Sequence, residues 1–148
     1  TPLIFHLLQH QTRIQDMHFL LQKEVVDRLA AAPNSRTYGR LSVMIQRYCR
    51  VEPLFTIGPG AFNPPPKVNS SVVRLTPWKI APVAIEDESH FSQLVAAAFS
   101  QRRKTVRNSL KGWVTPEQFE AAGVDPGCRA ETVALEGFAA LSNQSRPQ

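Results

Sequence analysis

Cysteine is nearly absent from this chain. Cys49 and Cys128 are the two thiols among 148 residues, too few and too unpatterned for a disulfide framework or a zinc cluster. Both are expected to be reduced and to pack as small hydrophobes. The four histidines, His6, His10, His18 and His90, have no metal-ligand spacing, so no metal site is expected. No apolar run approaches the roughly 18 to 20 residues that a membrane span needs. The opening Thr1 to Leu8 is apolar but lacks the basic flank and small-residue cleavage site of a secretory leader. A cytoplasmic location without a membrane partner is the expectation that follows. No serine or cysteine sits in a nucleophile motif, and Gly58-Pro59-Gly60 is a turn with no glycine-rich phosphate loop around it.

What is present is a folded composition with unevenly placed charge. Hydrophobic residues make up 43% and charged residues 20%, which excludes a disordered tail. The length suits one ordinary core, or a small domain plus part of another. The formal charge is +5. Between Pro53 and Pro116 the cations Lys67, Arg74, Lys79, Arg102, Arg103, Lys104, Arg107 and Lys111 outnumber Glu86, Asp87 and Glu88 by five, so this region alone accounts for the net charge. Such a concentration favours a polyanion, nucleic acid foremost; the plainer alternative is a solvated basic face.

The pattern of elements is that of an α/β sheet followed by helices. Thr1-Pro2 before an apolar run opens a helix, with threonine as cap and proline at the first helical position. Asp16 to Gln22 reads as a buried strand and Lys23 to Ala32 as a helix with Val25, Val26 and Leu29 on one side, broken by Pro33-Asn34-Ser35. Leu41 to Cys49 makes a second helix. Val51 to Ile57 and Ser70 to Leu75 make two strands, an antiparallel hairpin-like pair at the end of a sheet. After Trp78, Ile80 to Val83 reads as an extended linker. Helices follow over Ser89 to Ser100, from Thr115-Pro116-Glu117 onward, and over Thr132 to Leu141. The division is therefore 1–79 and 80–148, the second part all-helical.

Two segments stand out. Phe62-Asn63-Pro64-Pro65-Pro66-Lys67 is an aromatic-proline loop whose prolines restrict the backbone around Phe62. A pre-positioned ring can stack on an extruded base, or it can plug the edge of a sheet; both readings stay open. Asn63 to Pro66 is not the Asn/Asp-Pro-Pro-aromatic box of amino methyltransferases, since Pro66 stands where an aromatic ring would stack. The second segment, Phe99 to Leu110, reads as a basic helix. At about 100° per residue, Phe99, Val106 and Leu110 share one face, Lys104, Arg107 and Lys111 cluster about a third of a turn away, and Arg102 and Arg103 flank the apolar stripe. It would anchor by its apolar residues and offer cations to phosphates. Gly112 terminates it; Asn108 and Ser109 are capping residues or neutral donors.

Four motifs in order carry a resemblance over essentially the whole chain: Met17-His18-Phe19-Leu20-Leu21-Gln22-Lys23-Glu24-Val25, Tyr38-Gly39-Arg40-Leu41-Ser42-Val43, Phe62-x-Pro64-x-Pro66-x-Val68-x-Ser70-x-Val72, and Gln101 to Leu110. Together they resemble the bacterial small-subunit ribosomal RNA adenine dimethyltransferase family. The resemblance implies the C-terminal half of a Rossmann-like class I methyltransferase domain, residues 1–79, followed by a small helical RNA-binding domain, residues 80–148. It implies S-adenosylmethionine as cofactor, with the glycine-rich loop, the ribose-binding acid and the Asn-Leu-Pro-Tyr box expected upstream of Thr1. The partner implied is small-subunit rRNA within the maturing 30S particle, bound by a monomer. The reaction implied is transfer of methyl groups to N6 of two adjacent adenines in the 3′-terminal stem-loop. Phe62 matches the family's aromatic that stacks on the target adenine, and Arg102, Arg103 and Lys104 match its rRNA-contacting cluster. Lys67 and Arg107 join them on charge and position. A module that kept only the rRNA-docking surface is the alternative.

Overall fold

In the computed structural model, which describes residues 2–10, 13–64 and 67–147, three strands form one antiparallel sheet. β1 (Met17–Gln22), β2 (Cys49–Ile57) and β3 (Ser70–Pro77) lie in the order β1-β3-β2. β3 is central: Met17 pairs with Leu75 and Gln22 with Ser70 on one side, Cys49 with Pro77 and Ile57 with Ser70 on the other. β3 alternates half-buried and buried residues along its whole length, with Val73 and Leu75 fully inside, as a strand with one face on a core must. β1 is not the buried strand its apolar run suggests. Its residues alternate from Met17 inside to Leu20 nearly half exposed, because only one of its faces is covered. β2 is an edge strand, which accommodates Pro53: proline has no N–H to give to a ladder, and the register shifts between Pro53 and Phe55.

The sheet is covered by α1 (Pro2–Leu8), α2 (Lys23–Ala30) and α3 (Arg40–Tyr48). Ile4, Leu8, Val26, Leu29, Ile45 and Cys49 meet Val73 and Leu75 in one core. Thr1, expected as the first cap, lies outside the described residues. α2 ends at Ala30, before the reach of the sequence pattern, since Ala31 is already extended and Pro33 disfavours helix at the residue before it. The carbonyls at the end of α2 are satisfied from α3: Gln46 Nε2 donates to Leu29 O at 2.9 Å and to Ala31 O at 2.8 Å, and Ser42 Oγ donates to Arg28 O while accepting from Gly39 N.

Beyond the sheet stand α4 (Glu88–Phe99), α5 (Val106–Ser109), α6 (Pro116–Ala122) and α7 (Leu135–Ser145). α4 is capped by Asp87, whose side chain accepts from His90 N at 3.0 Å. α6 opens on a reciprocal box in which Thr115 Oγ1 accepts from Gln118 N and Gln118 Oε1 accepts from Thr115 N. It closes on Gly123 at φ +71°, a left-handed cap that glycine adopts without strain. Phe91, Leu94, Val95, Val106, Leu110, Phe119, Phe138 and Leu141 form the second core. Ala31, Tyr38 and Val43 from the α2–α3 region are built into that core too. Tyr38 is the tightest of these joints: its hydroxyl donates to Val133 O at 2.6 Å, and its ring meets Phe99 edge-on at 5.9 Å.

The long basic helix expected through Leu110 does not form. α4 stops at Phe99, and Ser100 to Lys104 turn back on themselves, with Ser100 Oγ donating to Ala97 O and Lys104 N donating to Gln101 O. The amides that would continue the helix are taken elsewhere. Thr105 bridges to Arg129, Val106 N donates to Cys128 O at 2.7 Å and Arg107 N to Pro126 O at 3.0 Å. Phe99, Val106 and Leu110 still share one core, brought together by this turn and not by helical period. Gly112 is not the terminator: α5 closes on Leu110, and Gly112, at φ +86°, lies in the turn beyond it.

Two outcomes follow. Tyr38→Phe should lower stability by about 1–3 kcal/mol, because the buried Val133 carbonyl is left without its donor, as read from urea denaturation. Burial pushes the Cys49 thiol up from 9.0 to about 12, so the folded state holds this proton more tightly than the unfolded chain. That contribution is fully present below about pH 9 and is lost as pH rises toward 12. Denaturation midpoints should fall over that range, and Cys49→Val should lessen the fall.

Candidate functional site

The loop from Gly58 to Asn69 joins β2 to β3 at the end of the sheet where Ile57, Ser70 and Gln22 meet. It begins with a 3₁₀ turn at Pro59–Ala61, and Phe62 N donates to Pro59 O at 3.3 Å. Phe62 follows that turn in extended conformation and is half-buried. Pro65 and Pro66 lie outside the described residues. Lys67 is exposed at the far side of the loop. With Pro59, Val68 and Asn69 it lines an open cleft of about 400 Å³, closed on the other side by Gln22, Lys23, Glu24 and Asp27 of the β1–α2 corner. Lys23 N donates to Asn69 O at 2.9 Å, which fixes the loop's end to the start of α2.

A second cleft, about 700 Å³, begins where the first ends. Glu24 lines both. The second is lined by Arg28 from α2, Arg36 from the connecting loop, Arg40 at the start of α3 and Arg102 from the turn after α4. Its single carboxylate, Glu24, is paired with Arg28 at 2.7 Å. Arg36 and Arg40 meet no carboxylate within ion-pair distance among the described residues. Arg40 belongs to the Tyr38-to-Val43 motif but carried no binding expectation, and Arg36 is an isolated cation in the sequence; only the packing of the α2–α3 corner against the α4–α5 turn puts them beside Arg102.

The basic turn is held in place from below. Arg102 Nη2 donates to Tyr38 O at 2.7 Å, so this guanidinium is anchored at one nitrogen and open at the others. Arg103, Lys104 and Arg107 are exposed and line neither cleft. Ser109 Oγ is buried without a hydrogen-bond partner among the described residues, so it faces the core and not a ligand. The sequence-selected residues thus fall into three places: Phe62 and Lys67 on the β2–β3 loop, Arg102 in the arginine cleft, and Arg103, Lys104 and Arg107 on the surface beyond it.

The electrostatics sharpen the charge count. The three acids of the basic region are all engaged: Glu88 with Arg47, Glu86 with Arg146 at 2.8 Å, and Asp87 at the α4 cap. Arg74 is turned to Glu52, making two hydrogen bonds that hold the Glu52 carboxyl below its usual range. Lys67, Arg102, Arg103, Lys104 and Arg107 have no such partner among the described residues. Charge left unpaired in water is available to a polyanion. Glu24 and Asp27 do form ion pairs on α2, with Arg28 and with Lys23 at 2.8 Å, as their spacing indicated. No cluster of His, Cys, Asp or Glu that could hold a metal occurs among the described residues, and no helix there is long and apolar enough to cross a membrane.

The sequence profile described as ribosomal RNA adenine dimethylase matches residues 1–145. The chain is 56% identical over 147 residues to ribosomal RNA small subunit methyltransferase A of Acinetobacter baylyi, covering 99% of this chain and 54% of that protein. It is 57% identical over 144 residues to the protein of that name from Pseudomonas aeruginosa, covering 97% and 54%. This chain therefore spans about half the length of the curated relatives it matches. Its fold is similar to the crystal structure of a dimethyladenosine transferase from Plasmodium falciparum, at TM-score 0.80 and 24% identity over 95% of this chain and 60% of that one. It is also similar to the 23S rRNA methyltransferase ErmE, at TM-score 0.65 and 19% identity over 90% and 56%.

Arg102→Ala should free the basic turn from Tyr38, speeding amide exchange at Lys104. Arg103→Ala, which removes an exposed side chain of the same charge, should leave that rate unchanged.

Proposed function

The chain belongs to the ribosomal RNA adenine dimethylase family, and from that premise we propose that it is the substrate-docking part of an enzyme that dimethylates N6 of two adjacent adenines in the 3′-terminal stem-loop of small-subunit rRNA. The observation that carries this reading is the pair of adjoining clefts that share Glu24, the first lined by Lys67 of the β2–β3 loop and the second by Arg28, Arg36, Arg40 and Arg102. In this proposal residues 1–79 belong to the catalytic domain and 80–148 to the rRNA-binding domain. The protein works as a monomer in the cytoplasm on the maturing small subunit.

Phosphates are the natural ligands of Arg102, Arg103, Lys104 and Arg107, and the track extends through Arg36 and Arg40 toward Lys67. Arginine suits this work because its planar fork presents several donors to one phosphate. These contacts orient the RNA without reading its sequence. Phe62 acts on the extruded base. Stacking holds the adenine ring at a fixed height, and a ring already ordered by the loop costs little entropy to use.

S-adenosylmethionine, the methyl donor implied for the family, finds no holding site among these residues. Gly58 precedes a 3₁₀ turn between two strands and Gly60 lies within it, and each faces open space; they do not form a strand-to-helix cradle around a ligand. The proposal assigns its site, and the groups that accept the adenine amine's hydrogen bonds, to residues preceding this segment in the longer relatives.

The test is methyl transfer from labelled S-adenosylmethionine to unmethylated small subunits, with RNA binding recorded in parallel, in protein spanning the full length of the curated relatives. Phe62→Ala should cut turnover about tenfold or more while changing RNA affinity little. Replacing Arg102, Arg103 and Lys104 together by Ala should weaken affinity and reduce the salt slope by about one for each phosphate no longer neutralised. Unchanged turnover in the Phe62 variant would sink the stacking role. Unchanged affinity in the triple variant would leave the docking surface without support.

A further inference from the structure

The far end of the sheet carries a second cationic cleft. Phe62 lies on the loop where Ile57 pairs with Ser70, whereas Cys49 pairs with Pro77 at the opposite end. β3 has eight residues between these ends, about 25 Å at roughly 3.3 Å per residue. At that opposite end is an open cleft of about 920 Å³ whose lining includes Arg13, Ile14, Arg50, Trp78, Lys79 and Ile80 and contains no carboxylate. Arg50 has one acid nearby, Glu52 at 3.7 Å, and that carboxylate already accepts two hydrogen bonds from Arg74. Lys79 has no ion-pair partner among the described residues.

Apolar residues there are displayed to solvent. Ile80 is 86% exposed and Trp78 36% exposed. Trp78 is nevertheless rigid: its indole N–H donates to Gln46 O at 2.8 Å and its backbone N–H to Tyr48 O at 3.0 Å. With its polar atom satisfied, what the side chain offers outward is ring surface. A fixed ring among cations is the arrangement that single-stranded nucleic acid uses, bases on the aromatic face and phosphates on the charges. An acidic peptide would match the cations but lacks the regular alternation of planar base and phosphate that meets a ring and flanking charges together.

We propose that this cleft is a second RNA contact, taking an unpaired rRNA segment with its phosphates on Arg50 and Lys79 and a base on Trp78. It rests on the reading that the protein docks on rRNA. Its consequence is that the protein spans two RNA elements about 25 Å apart along β3, one at the Phe62 end and one at the Trp78 end.

The experiment uses the full-length protein and two RNA probes: an isolated target stem-loop, and whole unmethylated small subunits. Arg50→Glu with Lys79→Glu should weaken subunit binding roughly tenfold and lower its salt slope by about two, while stem-loop binding stays as in the parent. Lys79→Glu alone, at an exposed position, guards against misfolding of the double variant and should weaken subunit binding severalfold. Ile80→p-benzoylphenylalanine should photocrosslink to rRNA within the subunit. Parental subunit affinity in the charge-reversed proteins, alongside weakened binding by the Arg102, Arg103, Lys104→Ala variant, would overturn the second contact and leave docking intact. Parental affinity in all of these variants would overturn docking itself. A crosslink to protein only would assign the cleft to a protein neighbour and overturn the RNA contact.

Discussion

The buried Tyr38 is the interaction on which the rest of the structure depends. Its hydroxyl donates to Val133 O, its carbonyl accepts from Arg102, and its ring is packed within the core of the helical part. Three segments remote in sequence therefore meet at one side chain. Burial and the nearby Glu136 carboxylate hold the phenol well above its ordinary pKa, so at neutral pH it is a dependable donor. A backbone carbonyl left unpaired in such a place costs far more than an average hydrogen bond contributes, which makes the joint hard to open by degrees. Asn34 N, donating to Glu131 O at 2.8 Å, adds a second stitch along the same seam. Positioning of the arginine cleft follows from this seam, since Arg36 and Arg40 approach from one side of it and Arg102 from the other.

Charge on this chain is organised by removal of its opposite. Glu86, Asp87 and Glu88 are the acids of an otherwise cationic region, and each is committed to a structural duty. Exposed pairs such as Lys23–Asp27 are worth little in stability, and the same is true of Arg146–Glu86, whose partners are about half exposed. Their larger effect is on the field outside. Neutralised acids no longer offset Arg102, Arg103, Lys104 and Arg107, and the potential over that surface is stronger than the net charge suggests.

Most of the element order was legible because it depends on local rules. The Thr115-Pro116 start, the break near Pro33 and the alternation along β3 are decided within a few residues. What escaped the sequence was decided at long range. The basic segment has helical periodicity, yet Cys128 and Pro126 take the amides of Val106 and Arg107, and a tertiary partner for a backbone N–H outweighs a propensity of a few tenths of a kcal/mol. β1 looked buried because its run is apolar; its exposed residues lie on the face that is left uncovered. Arg36 had no local signature and Arg40 only that of its motif, as a cleft gathered from three segments leaves none of its own. Phe62 was the reverse case: its loop stood out in sequence, and its half-buried ring in the structure suits both a base platform and a sheet-edge plug.

That ambiguity bears on how recognition would work. Phosphate contacts are blind to sequence, and a phenyl ring stacks on any base. Neither part alone could select one adenine pair in a ribosomal subunit. Selectivity in the proposed function must then lie in spacing. The Lys67 cleft and the arginine cleft meet at Glu24 in the first turn of α2, and Arg28 of the second stands one turn further along, about 6 Å at 1.5 Å per residue. A helix clamped at its start by Asn69 and at its end by Gln46 fixes the two clefts relative to each other. An RNA whose extruded base sits at another distance from its phosphates would satisfy the cations or the ring, but not both. In the proposed function, then, the RNA is selected by shape, through the fixed spacing of ring and cations.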